Sequence, residues 1–137
     1  MKTIALSLLL PISQLFAQQS NAVIELSLTN QHSSAGKIYV AIYNSEQSFG
    51  IPEKAYLTDI LEAKKPFLAS IELKSGSYAI AVYQDINSNG KLDKNWIGVP
   101  TEPYGFSKDP VIRFGPPLFK DCQLNLQGKN SLSIRLR

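Results

Sequence analysis

The chain has 137 residues, 44% of them hydrophobic and 18% charged, with a formal net charge of +3. That composition suits one folded domain and excludes a disordered chain, whose apolar content would be far lower. One His and one Cys leave no Cys/His zinc site, no intrachain disulfide and no choice of histidines for a nucleophilic triad.

The N-terminus reads as a leader. Met1, Lys2 and Thr3 precede an apolar run from Ile4 to Phe16, and the small residue Ala17 follows. This pattern predicts a secretory signal peptide over residues 1–17, with cleavage after Ala22 as the alternative. The run is shorter than the ~20 residues that span a bilayer, so no integral membrane segment is expected after cleavage. Removing Lys2 with the leader leaves 13 basic side chains (14 less one) against 11 acidic. That slight excess includes no run longer than Lys64-Lys65, so no nucleic-acid partner is expected.

Residues 22–137 are expected to form one domain. Alternation predicts strands over residues 22–28 (Ile24, Leu26 and Leu28 inward), 36–43 (Ile38, Val40, Ile42) and 67–73 (Phe67, Ala69, Ile71, Leu73). Three more are expected over residues 77–83, 123–126 and 132–136. Residues 52–65 fit a helical face through Tyr56, Leu57, Ile60, Leu61 and Lys64, or a short helical turn from Pro52 followed by a strand; the latter is preferred. His32 lies in a polar turn and is expected to be solvated. Cys122 is expected on a strand face with Leu124 and Leu126 as a small buried hydrophobe. Six or seven short strands separated by Gly- and Asn-rich turns predict an all-β fold. The expected architecture is an antiparallel, Ig-like or prealbumin-like β-sandwich of about seven strands.

Five of the eight prolines fall between residues 100 and 117, and four of the eight glycines between 90 and 115, which predicts a long Pro/Gly-rich loop. Trp96, Ile97, Val99, Tyr104, Phe106, Val111, Ile112 and Phe114 occur in the same stretch. They are expected to be buried and to hold the loop over one end of the sandwich.

The motif that carries chemistry leaves the strand at residues 77–83. Asp85, Asn87 and Asn89 place oxygens at alternate positions, Gly90 permits a sharp turn, Lys91 offers a carbonyl and Asp93 adds a second carboxylate. This is a D-x-[DN]-x-[DN]-G loop, which suits Ca²⁺ because a hard cation takes six to eight oxygens. The twelfth position, where a helix-loop-helix site has Glu, is Trp96, and the preceding segment is a strand. Glu102 is the nearest downstream carboxylate able to fold back. The same residues also suit a plain capped turn, and both readings stand here.

The strings Gly76-x-Tyr78-Ala79-Ile80-Ala81-Val82, Asp85-x-Asn87-x-Asn89-Gly90-Lys91-Leu92-Asp93, Gly98-x-Pro100-x-Glu102-x-Tyr104-Gly105-Phe106-Ser107 and Gly115-Pro116-Pro117-x-Phe119 occur in this order. Together they resemble a family of small exported bacterial proteins, a domain of unknown function. The resemblance implies a periplasmic or secreted location in the cell envelope and no particular activity. Gln84 departs from the His expected in the family before the Asp, so no metal or catalytic role is carried over to it. The reading that follows is a non-enzymatic module that binds a protein or polymer of the envelope. A carbohydrate- or small-ligand-binding module is the alternative, with Trp96, Tyr104 and Phe106 as a stacking platform and Glu102 beside them. A hydrolase built on Asp85, Asp93, Glu102 or Asp109 is the least supported.

Overall fold

Strand alternation sorts the chain into two facing sheets. The computed structural model describes residues 20–137; the expected signal peptide at residues 1–17 lies outside them. In chain order the strands are β1 Asn21–Thr29, β2 Lys37–Tyr43, β3 Leu57–Glu62, β4 Leu68–Lys74, β5 Gly76–Asp85, β6 Tyr104–Phe106, β7 Leu124–Leu126 and β8 Gly128–Arg135. One sheet has the order β4-β1-β8, and the other β3-β2-β5-β6, with β7 also paired to β5. This is a β-sandwich. Ile24 and Leu26 of β1, Ile38 and Ile42 of β2, Ile80 of β5 and Ile134 of β8 fill the space between the sheets at no more than 1% exposure. β1 begins at Asn21 and buries Ala22, so cleavage after Ala22 would cut through the strand.

Residues 52–65 form a 3-10 turn at Pro52–Lys54 and then β3. Leu57 and Leu61 lie opposite Ile42 and Ile38, which turns Ile60 outward at 49% exposure. The helical face is therefore not used.

Three features differ from the expectation. First, the sandwich is not antiparallel throughout: β1 and β8 run parallel, with Ala22 opposite Gly128 and Leu28 opposite Ile134. The cause is the step from β7 in one sheet to β8 in the other across Gln127, after which the chain runs the same way as β1. Parallel neighbours need such a crossover, and here most of the sandwich lies between the two strands in sequence. Second, Cys122 is fully buried, but it ends a single helical turn, α1 Phe119–Cys122, and is not on the strand of Leu124 and Leu126. Third, the apolar residues of the Pro/Gly-rich stretch are not all buried: Trp96, Val111 and Phe114 are 96%, 81% and 97% exposed. Hydrogen bonds hold that stretch, as described below.

Both β6 and β7 pair with one edge of β5, at Ala81–Tyr83 and Gly76–Tyr78, leaving a break between them. Buried Ser107 fills the break. Its N–H donates to the Ile80 carbonyl (2.9 Å), while its Oγ accepts from Ile80 N–H (3.0 Å) and donates to the Cys122 carbonyl (2.5 Å). Burial, and next the Asp121 charge, push the Cys122 thiol up to about 11. At pH 8 about a thousandth of it would be thiolate, the reactive form. Ellman's reagent is therefore expected to leave the native chain essentially unlabelled and to modify it stoichiometrically in denaturant. Rapid labelling of folded protein would contradict the packing described.

One end of the sandwich gathers the loops that matter. Lys37 lies opposite Asp85 and Glu62, and Tyr83 lies opposite Tyr104. Arg137 N–H donates to the Tyr104 carbonyl (2.9 Å), and Tyr104 N–H donates back to Arg137 (3.2 Å), tying the two sheets together there.

Candidate functional site

The site grows from the last residue of β5. Asp85 is fully buried, and its backbone carbonyl faces Gly36, where an added Cβ would sit 1.8 Å from the Asp85 oxygen. Gly36 also has φ +73°, so conformation and close approach both call for glycine there. Beyond Asp85 the chain curls through left-handed Ser88 (φ 59°) and Gly90 (φ 78°). A carboxylate at the start of such a curl can satisfy the backbone donors that strand pairing no longer reaches. The Asp85 Oδ1 accepts Asn89 N–H (3.1 Å), and Oδ2 accepts Gly90 N–H (2.7 Å).

The alternate side chains repeat the device. Asn87 Oδ1 accepts Asn89 N–H (3.2 Å), and Asn89 Oδ1 accepts Lys91 N–H (2.9 Å). Their amide nitrogens turn to Asp93: Asn87 Nδ2 donates to Oδ2 (2.6 Å) and Asn89 Nδ2 to Oδ1 (2.8 Å). Asp85, Asn87, Asn89 and Asp93 thus belong to one hydrogen-bonded loop. Lys91 contributes its backbone, with its side chain exposed.

Glu102 closes the loop from outside. It is 7% exposed, and its carboxylate spans the turn, taking Ile86 N–H at 2.9 Å and Asp93 N–H at 3.0 Å. Thr101 N–H donates to the Asp93 carbonyl (2.8 Å), and Gln84 N–H donates to Pro103 (2.8 Å), so the excursion of residues 86–103 returns to where it left β5. Among the described residues, no three His, Cys, Asp or Glu side chains converge to hold a metal. Any cation here would need amide and carbonyl oxygens, which suit a hard ion.

The proposed stacking platform is not assembled. Tyr104 and Phe106 meet edge to face at 6.0 Å between ring centres, and Phe106 packs against Phe49. Tyr39 and Tyr83 stack on each other at 4.7 Å, so their faces are turned inward on the pair. Burial, then the Tyr39 hydroxyl and nearby carboxylates, push the Tyr83 phenol up to about 12. Trp96 stands 96% exposed on a separate turn, and Glu102 faces backbone amides. Asp109 is also elsewhere, paired with Arg137.

Gln84 is buried on the inner face, opposite Ile38, with its amide donating to the Ser33 and Ala35 carbonyls (3.1 and 2.8 Å). Adjacent strand residues point to opposite faces, so position 84 does not share the surroundings of Asp85. Reading the sequence missed two contributors. Gly36 reads only as the start of the strand at 36–43, and Tyr39, whose hydroxyl would lie 3.7 Å from a Cβ at Gly90, as one more strand residue.

The sequence model of a family described as "Uncharacterized protein conserved in bacteria" (DUF2141) matches residues 26–134, which run from β1 to β8 and include the whole loop. No curated protein and no solved structure matches the chain.

Proposed function

The chain belongs to this family of uncharacterised bacterial proteins, and we propose that it is an exported, non-enzymatic β-sandwich module whose Asp85–Asp93 loop takes Ca²⁺ and which binds another component of the cell envelope. The observation that carries this reading is the convergence of Asn87 and Asn89 on Asp93, at 2.6 and 2.8 Å, in a loop already curled by buried Asp85. Amide N–H groups aimed at a carboxylate supply weak positive poles where a cation would supply a strong one. With Ca²⁺ bound, Asp93 would hold the ion, and Asn87, Asn89 and the Lys91 carbonyl would supply neutral oxygens once the two amides rotate away from Asp93. Two carboxylates against Lys91 and Lys94 make a weak field. The expected dissociation constant is therefore of extracellular grade, on the order of 10⁻⁴–10⁻³ M.

Terbium luminescence tests this, because Tyr39 lies beside the loop as a sensitiser. Emission excited through tyrosine is expected to rise on adding Tb³⁺, to fall as Ca²⁺ competes, and to be absent in Asp93→Asn. Equal emission from parent and variant would remove the site.

A further inference from the structure

Two turns carry five of the apolar side chains that the fold leaves outside. The turn at residues 94–100 presents Trp96, Ile97 and Val99 at 96%, 62% and 49% exposure. It is no loose tip. Asn95 N–H donates to the Val99 carbonyl (2.8 Å), Gly98 N–H donates to the Asn95 carbonyl (3.0 Å), and Asn95 Oδ1 accepts Ile97 and Val99 N–H (3.1 and 3.0 Å). Residues 111–114 present Val111 and Phe114 at 81% and 97% exposure. This second tip follows Asp109 and Pro110, which the Arg137 guanidinium holds at the end of the sandwich where residues 86–103 also emerge. A soluble chain seldom orders its only Trp and a Phe into water without a surface to meet them.

Charge identifies the surface. Within residues 86–118 the carboxylates are engaged: Asp93 by asparagine amides, Glu102 by backbone amides and Asp109 by Arg137. The cations Lys91, Lys94, Lys108 and Arg113 are exposed, and among the described residues none of them forms an ion pair. Two exposed apolar turns, with Lys94 two residues before Trp96 and Arg113 beside Phe114, need no matching concave partner. They fit a deformable anionic surface, where Trp favours the interfacial layer and each Lys or Arg adds attraction.

We propose that these two turns dock on an anionic phospholipid bilayer, inserting Trp96, Ile97 and Phe114 at the headgroup level. No helix among the described residues is long and apolar enough to cross a membrane, and the proposed contact is a peripheral one. This goes beyond the calcium reading and does not depend on it.

Trp96 is its own reporter. The chain lacking residues 1–17 retains every described strand and removes the apolar run from Ile4 to Phe16. With chelator present, its Trp emission is expected to shift to the blue on vesicles of phosphatidylglycerol and phosphatidylcholine, with quenching by bilayer-brominated lipid. Ile97→Ser and Phe114→Ser are each expected to weaken partitioning about tenfold, the worth of one apolar side chain. The Lys94→Glu/Arg113→Glu double variant is expected to lose at least tenfold, with pure phosphatidylcholine bound no better than that. Because these side chains lie outside the core, unchanged circular dichroism should accompany each variant. An unshifted spectrum at millimolar lipid would overturn the proposal, as would equal binding to neutral vesicles. So would a lipid-free shift that grows with protein concentration alongside a dimeric mass, since a second copy would then be the occupant.

Discussion

Gly36→Ala is expected to cost about 2–5 kcal/mol and to lower the melting temperature by about 10 °C or more. Two terms add. The left-handed φ of +73° costs a Cβ-bearing residue about 1–2 kcal/mol. The new methyl would also sit 1.8 Å from the Asp85 carbonyl oxygen and 2.8 Å from the Ile86 Cα. These are backbone atoms at and just past the end of β5, so no side chain can swing away and relieve the overlap. The strand end or the 33–36 turn must move, taking Asp85 with it. Against a typical domain stability of about 5–15 kcal/mol, this single methyl removes a large share. Urea or thermal unfolding of the variant measures it. A loss below about 1 kcal/mol would show that the two segments do not approach as described.

Glu102→Ala is expected to cost about 2–4 kcal/mol, from loss of two charge-assisted hydrogen bonds that leaves the N–H groups of Ile86 and Asp93 without their acceptor. The effect should be local first. Hydrogen exchange at the Ile86 and Asp93 amides is expected to lose protection by orders of magnitude, while amides in the β1–β8 pairing keep most of theirs. The contrast follows from position: Glu102 straps the excursion of residues 86–103 and touches neither sheet interface. Retained protection at both amides would mean that the turn closes without it.

β1, β2 and β4 were legible because each has one face in the core, and β5, buried on both faces, as an apolar run between turns. β1, β2, β4 and β5 lie within about two residues of where alternation puts them. β6 was not legible: three residues, Tyr104, Gly105 and Phe106, are too few for a period and sit among prolines. Nor was the parallel pairing of β1 with β8, since direction depends on where the chain crosses between sheets and leaves no mark in local pattern. Position 122 was read correctly as buried and wrongly as strand, because burial follows residue type while one helical turn depends on how the chain must travel from Ser107 to β7. The largest misreading was Trp96 and Phe114. Apolar type predicts burial only where the fold offers a place, and short turns fixed by Asn95 and Arg137 hold these two outside.

The candidate site was legible as a spacing, with Asp85, Asn87, Asn89 and Asp93 at the recurrences that a curled loop needs. Glu102 was foreseen as the carboxylate able to fold back, and it does so onto backbone amides. The glycine that admits Asp85 lies 49 residues upstream, where only tertiary structure connects the two.

Thermal unfolding in Ca²⁺ and in chelator tests the calcium reading most directly. At ten times the dissociation constant, a single site on the folded state adds about 1.4 kcal/mol, which raises the melting temperature by several degrees in a domain of this size. The rise should be smaller in Mg²⁺, which demands tighter octahedral geometry, and absent in Asp93→Asn. Superimposable melts in millimolar Ca²⁺ and in chelator would contradict the account and leave residues 85–93 as a turn that satisfies itself.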